Sequence, residues 1–301
     1  MARLHWTSPT ADDRDNLFRA ADAAGAMGSD ASCTNLWLYS EKYGTQIARC
    51  GGVILRRFRG ADGAWTYAFP LGGREAVRTA LPALEAAASS DGAPLTFSMI
   101  SAAEKEILEE AMPGAFTFSE CRDLADYIYL QERLATLPGG KFHKKKNHIS
   151  QFRRKYPDCE FRLLPDAPAA DVLAVADSWF DENGGRGDAD KEYERTIIRL
   201  AVGNAERLRL FGGVLYAEGR PAAMTLASAI TKDTADIHFE KAAAPYARDG
   251  AYAVINKEFA ASLAQFRHIN REEDMGLEGL RKAKLSYYPD ILLEKFRAER
   301  R

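Results

Sequence analysis

Three stretches of the 301-residue sequence gather side chains able to hold an anion or move a proton. The first, KFHKKKNHISQFRRK from Lys141 to Lys155, carries seven Lys or Arg and no acidic residue. A run of this kind is either a solvated basic face or a cradle for phosphate, whether of a cofactor or of RNA. Ile149, Phe152 and Tyr156 recur at spacings of three and four, and Lys145 falls one turn earlier on the same helical face. An ammonium on a packing face has to reach an edge or meet a carboxylate or an anionic ligand, because burial without a partner is costly. Lys145, flanked by Lys144 and Lys146, is therefore the first candidate anion-binding group.

The second stretch is Asn270-Arg271-Glu272-Glu273-Asp274, continuing into LEGLRKAKLSYYP, which reads as a helix with Leu277, Leu280 and Tyr287 along one stripe. Lys284 falls inside that stripe, and Arg281 and Tyr288 flank it. Such an arrangement is either a structural ion-pair network or a site. In a site, Glu272, Glu273 or Asp274 would act as base or hold an amine, and Lys284 would bind a carboxylate or phosphate. The third stretch is His238-Phe239-Glu240-Lys241, then the turn Arg248-Asp249-Gly250-Ala251. His238 and Glu240 are expected on one face of a strand. The helix opened by Gly250 carries Asn256 beside its apolar stripe. Its N-terminus either offers free N–H groups to an anion next to Arg248 or is an ordinary turn.

These residues need elements to position them, and the hydrophobic pattern supplies an α/β chain in two similar halves. Each half reads as strands, a Gly-containing turn, a helix, a strand, a helix and a strand. In the first, strands at 52–57 and 65–69 precede Pro70-Leu71-Gly72-Gly73; in the second, strands at 208–216, 222–230 and 234–239 precede the Gly250 turn. The expected division is a domain over 1–132, a basic linker helix over 133–157, and a domain over 158–301 that carries the site.

Composition narrows the classes. A formal charge of -2 excludes a surface that is basic all over, so any RNA contact has to be local. Cys33, Cys50, Cys121 and Cys159 are far apart and form no CxxC pair, so reduced, mostly buried thiols and no metal site are expected. The N-terminal MARLHWTSPTADDRD lacks the apolar centre of a signal peptide, and no stretch approaches the roughly 18 apolar residues of a membrane span. A cytoplasmic protein is the expectation.

The segments LATLPGGKFHKKKNHISQFRRKYP and INREEDMGLEGLRKAKLSYYP, with SDASCTNLWLYS and HFEKA, closely resemble a bacterial domain family grouped with the C-terminal domain of phosphatidylglycerol lysyltransferases. The resemblance implies two tandem GNAT-like (acyl-CoA N-acyltransferase) domains, an architecture shared with Fem-type aminoacyltransferases. It also implies transfer of an acyl or aminoacyl group to an amine or hydroxyl, with a small molecule or a lipid headgroup as acceptor. Aminoacyl-tRNA, reached through the basic helix, and acyl-CoA are the two donors. The usual acyl-CoA fingerprint is imperfect, since Arg248 stands two positions before Gly250 instead of three. No GxSxG elbow or Cys–His pair is present, which points to direct transfer. Glu240 or Glu272 is expected as general base and Tyr288 as acid, with Lys145, Arg281 and Lys284 as anion binders. The rival expectation is a non-catalytic GNAT scaffold that binds a nucleotide, CoA or RNA.

Overall fold

The apolar runs become strands of two sheets in the computed structural model, which describes residues 4–301. The first half supplies β1 (Gln46–Cys50), β2 (Val53–Arg59), β3 (Trp65–Leu71), β4 (Thr96–Ile100), β5 (Phe116–Glu120) and β6 (Asp126–Leu130). The second supplies β7 (Glu160–Leu163), β8 (Phe211–Ala217), β9 (Arg220–Ala229), β10 (Thr234–Ala242), β11 (His268–Asn270), β12 (Ile291–Leu293) and β13 (Phe296–Arg300). The sheet orders are β1-β2-β3-β4-β13-β5 and β12-β6-β11-β10-β9-β8-β7.

Those orders show the repeat and how its halves are joined. In each half a parallel pair follows the Gly-turn helix: β3 with β4, and β10 with β11. Each half then lends its last strand to the other. Strand β6 inserts between β11 and β12, and β13 inserts between β4 and β5, all antiparallel. The sequence reads 291–296 as one strand; it is two, β12 and β13, in different sheets.

The second sheet is covered on both faces, so its central strands are buried throughout. On β8, Leu215 and Ala217 face the core beneath the helices His143–Lys155 and Ala251–Ser262, together with Phe152, Val254 and Phe259. Val214 and Tyr216 face the opposite core with Val172, Val175, Ile197 and Ile198 of the helices Ala169–Glu182 and Ala189–Gly203. This is the two-residue alternation of a strand sandwiched between helix layers. Each fully buried Phe or Val contributes on the order of 2 kcal/mol. The first sheet has its own core around Leu55, Phe69, Leu84 and Phe97. Cys33 is buried, with its thiol pushed up to about 12 by that burial, while the other three cysteines are only partly buried. Among the described residues no helix is long and apolar enough to cross a membrane.

Candidate functional site

The local shape of β10 decides which residues can meet. Ile237 pairs with Ala227 on β9, yet Phe239 pairs with Leu226, so His238 is the extra residue of a β-bulge. Ile237 consequently lies in one core and Phe239 in the other. His238 and Glu240 do not share a face, as simple alternation predicts, because the bulge breaks the period of two. Glu240 turns to the helix Ala251–Ser262, and His238 turns to Thr34, Ser228 and Glu272.

On the Glu240 side, a cationic cluster forms around two tyrosines. Glu240 accepts from Arg271 at 2.9 Å and from Asn256 Nδ2 at 3.3 Å. The Arg271 guanidinium lies 4.9 Å from the Tyr287 ring centre and 5.9 Å from that of Tyr129. Lys145 reaches in from the basic helix, its Nζ 3.9 Å from the Tyr287 ring centre. Among the described residues no carboxylate lies within ion-pair distance of Lys145. Burial, then the charges of Arg271 and Lys144, push its ammonium down to about 8, with Glu240 opposing. Arg271 Nη1 and Asn256 Oδ1 are buried and have no hydrogen-bond partner. Two cations, one carboxylate and two unused polar atoms therefore converge.

On the His238 side, Ser228 Oγ lies 2.8 Å from His238 Nε2 and accepts from Thr34 Oγ1 at 2.9 Å. His238 Nδ1 is 3.3 Å from Glu272 Oε1 and 3.4 Å from Asp236 Oδ2. Asn35 Nδ2 donates to Glu272 Oε1 at 2.8 Å. Burial, joined by the charges of Glu272, Asp126 and Glu273, drives the Asp236 carboxyl well above the usual range. Burial and Glu272 push Glu273 up to about 7.

Much of the remaining charge is structural. Lys284 is buried and donates to the Arg271 carbonyl at 2.5 Å and to that of Glu273, while Tyr129 donates to the Lys284 carbonyl at 2.7 Å. Burial, opposed by Glu272, holds the Lys284 ammonium below its ordinary value. Arg281 binds both oxygens of buried Asp274 at 2.8 Å, and also Asp123 at 2.7 Å. Those bonds commit Arg281 to holding the strand-to-helix turn. Asn270 donates to the Met27 carbonyl at 2.8 Å and to Asp126 at 3.1 Å.

The inward face of the helix Glu278–Leu285 thus carries Arg281 and Lys284, while Leu277, read as part of its apolar stripe, is exposed. Tyr288 is exposed too, packed edge-on against Phe142; its neighbour Tyr287 is the one inside the cluster. Lys144 and Arg248 are exposed, and Lys146 donates to the Gly139 carbonyl at 3.1 Å. Gly250 has φ +108 and sits so close to the basic helix that a Cβ would lie 3.1 Å from the His148 carbonyl oxygen. That glycine therefore serves helix packing.

The family model for the C-terminal domain of phosphatidylglycerol lysyltransferase matches residues 23–299. The chain belongs to this family. A conserved protein of unknown function from Bacteroides thetaiotaomicron VPI-5482 is 35% identical, with a TM-score of 0.92 over 99% of this chain and 100% of that one. L-PGS from Bacillus licheniformis is 14% identical, with a TM-score of 0.66 over 96% of this chain and 92% of that one. FemX, at 8% identity, has a TM-score of 0.59 over 97% of this chain and 96% of that one, and shares its fold. No curated protein matches. The fold is the two-sheet α/β architecture expected from sequence, shared with L-PGS and FemX, and the family is one of acyl- and aminoacyltransferases.

Sequence reasoning had singled out Lys145, Glu240, Asn256, Arg271, Glu272 and Lys284, all of which enter the buried networks. It missed Asn35, Thr34, Ser228, Asp236 and Tyr129. Asn35 lies in the SDASCTNLWLYS motif, the one local signal that could have found it.

Proposed function

We propose that this chain transfers an aminoacyl group from the ester of an aminoacyl-tRNA to an amine or hydroxyl, on a small molecule or a lipid headgroup, at the Lys145–Arg271 cluster. The observation that carries the reading is the unpaired, half-buried Lys145 beside Arg271, whose Nη1 is buried without a partner. The acceptor attacks the ester carbonyl, and negative charge grows on its oxygen. Arg271 Nη1 and the Lys145 ammonium are groups that stabilise such an oxyanion in a low-dielectric setting. Glu240 holds Arg271 in place and, being committed to it and to Asn256, positions the cation. With the Lys145 pKa about 8, its neutral amine takes the proton of the attacking group, and the ammonium so formed faces the oxyanion and returns the proton to the departing ribose oxygen.

The tRNA donor is favoured over acyl-CoA by two features. Lys144, Lys146 and Arg154 are exposed along the basic helix, which carries no acidic residue. The Gly250 turn, where CoA phosphates would sit, is packed against His148. Radiolabelled lysyl-tRNA, alanyl-tRNA and acetyl-CoA, each incubated with the protein and either phosphatidylglycerol vesicles or a pool of small amines, test this. Label leaving tRNA for an acceptor supports the reading; label moving only from acetyl-CoA replaces its donor.

A further inference from the structure

Beyond that transfer reaction, and on the other face of β10, we propose that Asp236, His238 and Glu272 bind one divalent transition-metal ion. One donor atom from each of the three lies within 4.8 Å of the other two. The Nδ1–Glu272 and Nδ1–Asp236 separations are 3.3 and 3.4 Å. A tetrahedral ion with bonds of about 2.1 Å has ligand–ligand edges of about 3.4 Å, so these separations suit such an ion at the centre. The donor set, one imidazole and two carboxylates, suits zinc or manganese among first-row ions.

Three further observations point to a cation. Asp236 is fully buried, and its Oδ1 has no hydrogen-bond partner in a region already holding Glu272, Glu273 and Asp126. The far ring nitrogen, Nε2, is 2.8 Å from Ser228 Oγ. With Nδ1 giving its lone pair to the ion, the proton sits on Nε2 and Ser228 accepts it, the second bond that orients a ligating histidine. The Asn35 amide reaches the same two carboxylate oxygens, at 2.8 and 3.4 Å, so a half-turn of that amide offers its oxygen as a fourth ligand. Glu272, 22% exposed, leaves the ion a way in.

The full-length chain, stripped with chelator and kept reduced, is titrated calorimetrically with Zn²⁺ alone, and the complex is studied by X-ray absorption. The proposal predicts one ion per chain, a shell of nitrogen and oxygen with one imidazole, and a raised melting temperature. His238→Ala and the volume-conserving Glu272→Gln should each weaken binding at least about 100-fold, and Ser228→Ala about 10-fold, with far-UV spectra unchanged. Absence of saturable binding, sulfur in the shell, or affinity unaffected in folded Glu272→Gln would overturn it and leave Thr34–Ser228–His238–Glu272 as a hydrogen-bonded relay. None of these readouts depends on transferase activity.

Discussion

His238 and Glu240 stand two residues apart on β10 but serve different networks, because the bulge at His238 turns them to opposite faces. One strand thus supports a cationic cluster on one side and an acidic, histidine-containing one on the other. Arg271 and Glu272, adjacent in the chain, divide in the same way.

Arg271→Lys keeps the charge but loses the planar fork that grips Glu240 and presents Nη1. Its kcat for transfer should fall on the order of 100-fold with a smaller change in KM, as for a lost oxyanion donor. Steady-state kinetics would show otherwise if KM alone rose, which would make Arg271 a ground-state binding group.

Lys145 should trade stability for activity. Burial holds its pKa, about 8, below the unfolded value, so the charged form is penalised in the fold. That penalty is fully present below about pH 8 and fades as pH rises toward the unfolded value near about 10.4. Lys145→Met should therefore melt higher than the parent at pH 7, with the gap narrowing above pH 8, and should lose transfer. Thermal melts across that range check the sign.

The exchanged strands should make the two halves unfold together. Lys295, just before β13, is 3.5 Å from Asp126, the first residue of β6, and also pairs with Asp30. Asp126 and Asp30 keep its ammonium raised in spite of burial, which alone would lower it. Lys295→Met leaves the buried Asp126 without a cation, while Asp30 keeps Arg56 at 3.3 Å, and should cost about 3–5 kcal/mol. Calorimetry should give one transition in both proteins; two separate transitions would show that the halves are independent.

Not all of this was visible in the sequence. Lys145 and Lys284 stood out because a cation interrupts an apolar stripe at helical spacing, and both do turn inward. The roles of Tyr287 and Tyr288 were harder to read, since the helix stops at Leu285 and Tyr288 takes φ +55, swinging its ring outward. The bulge depends on the register between β9 and β10, which no local pattern reports. Asn35 and Asp126 meet the site through contacts spanning 201 and 144 positions, to Asp236 and Asn270 respectively, and composition has no signal for such meetings.

If tRNA docks on the basic helix, its affinity should fall steeply with salt. Each of Lys144→Ala, Lys146→Ala and Arg154→Ala should reduce the slope of log affinity against log salt by about one unit. Filter binding at several salt concentrations measures that slope, and an unchanged slope in the triple variant would place tRNA elsewhere.

The fate of the aminoacyl ester itself separates transfer from every other outcome. Under single-turnover conditions, charged tRNA is mixed with excess protein and the pool of acceptors, and the label is tracked from tRNA to product by mass spectrometry. With the parent protein, label should move to an amine or hydroxyl acceptor. With Lys145→Met, which should be folded and more stable at pH 7, it should stay on tRNA. Transfer at the parental rate by Lys145→Met, or ester loss only to water with both proteins, would contradict aminoacyl transfer through Lys145.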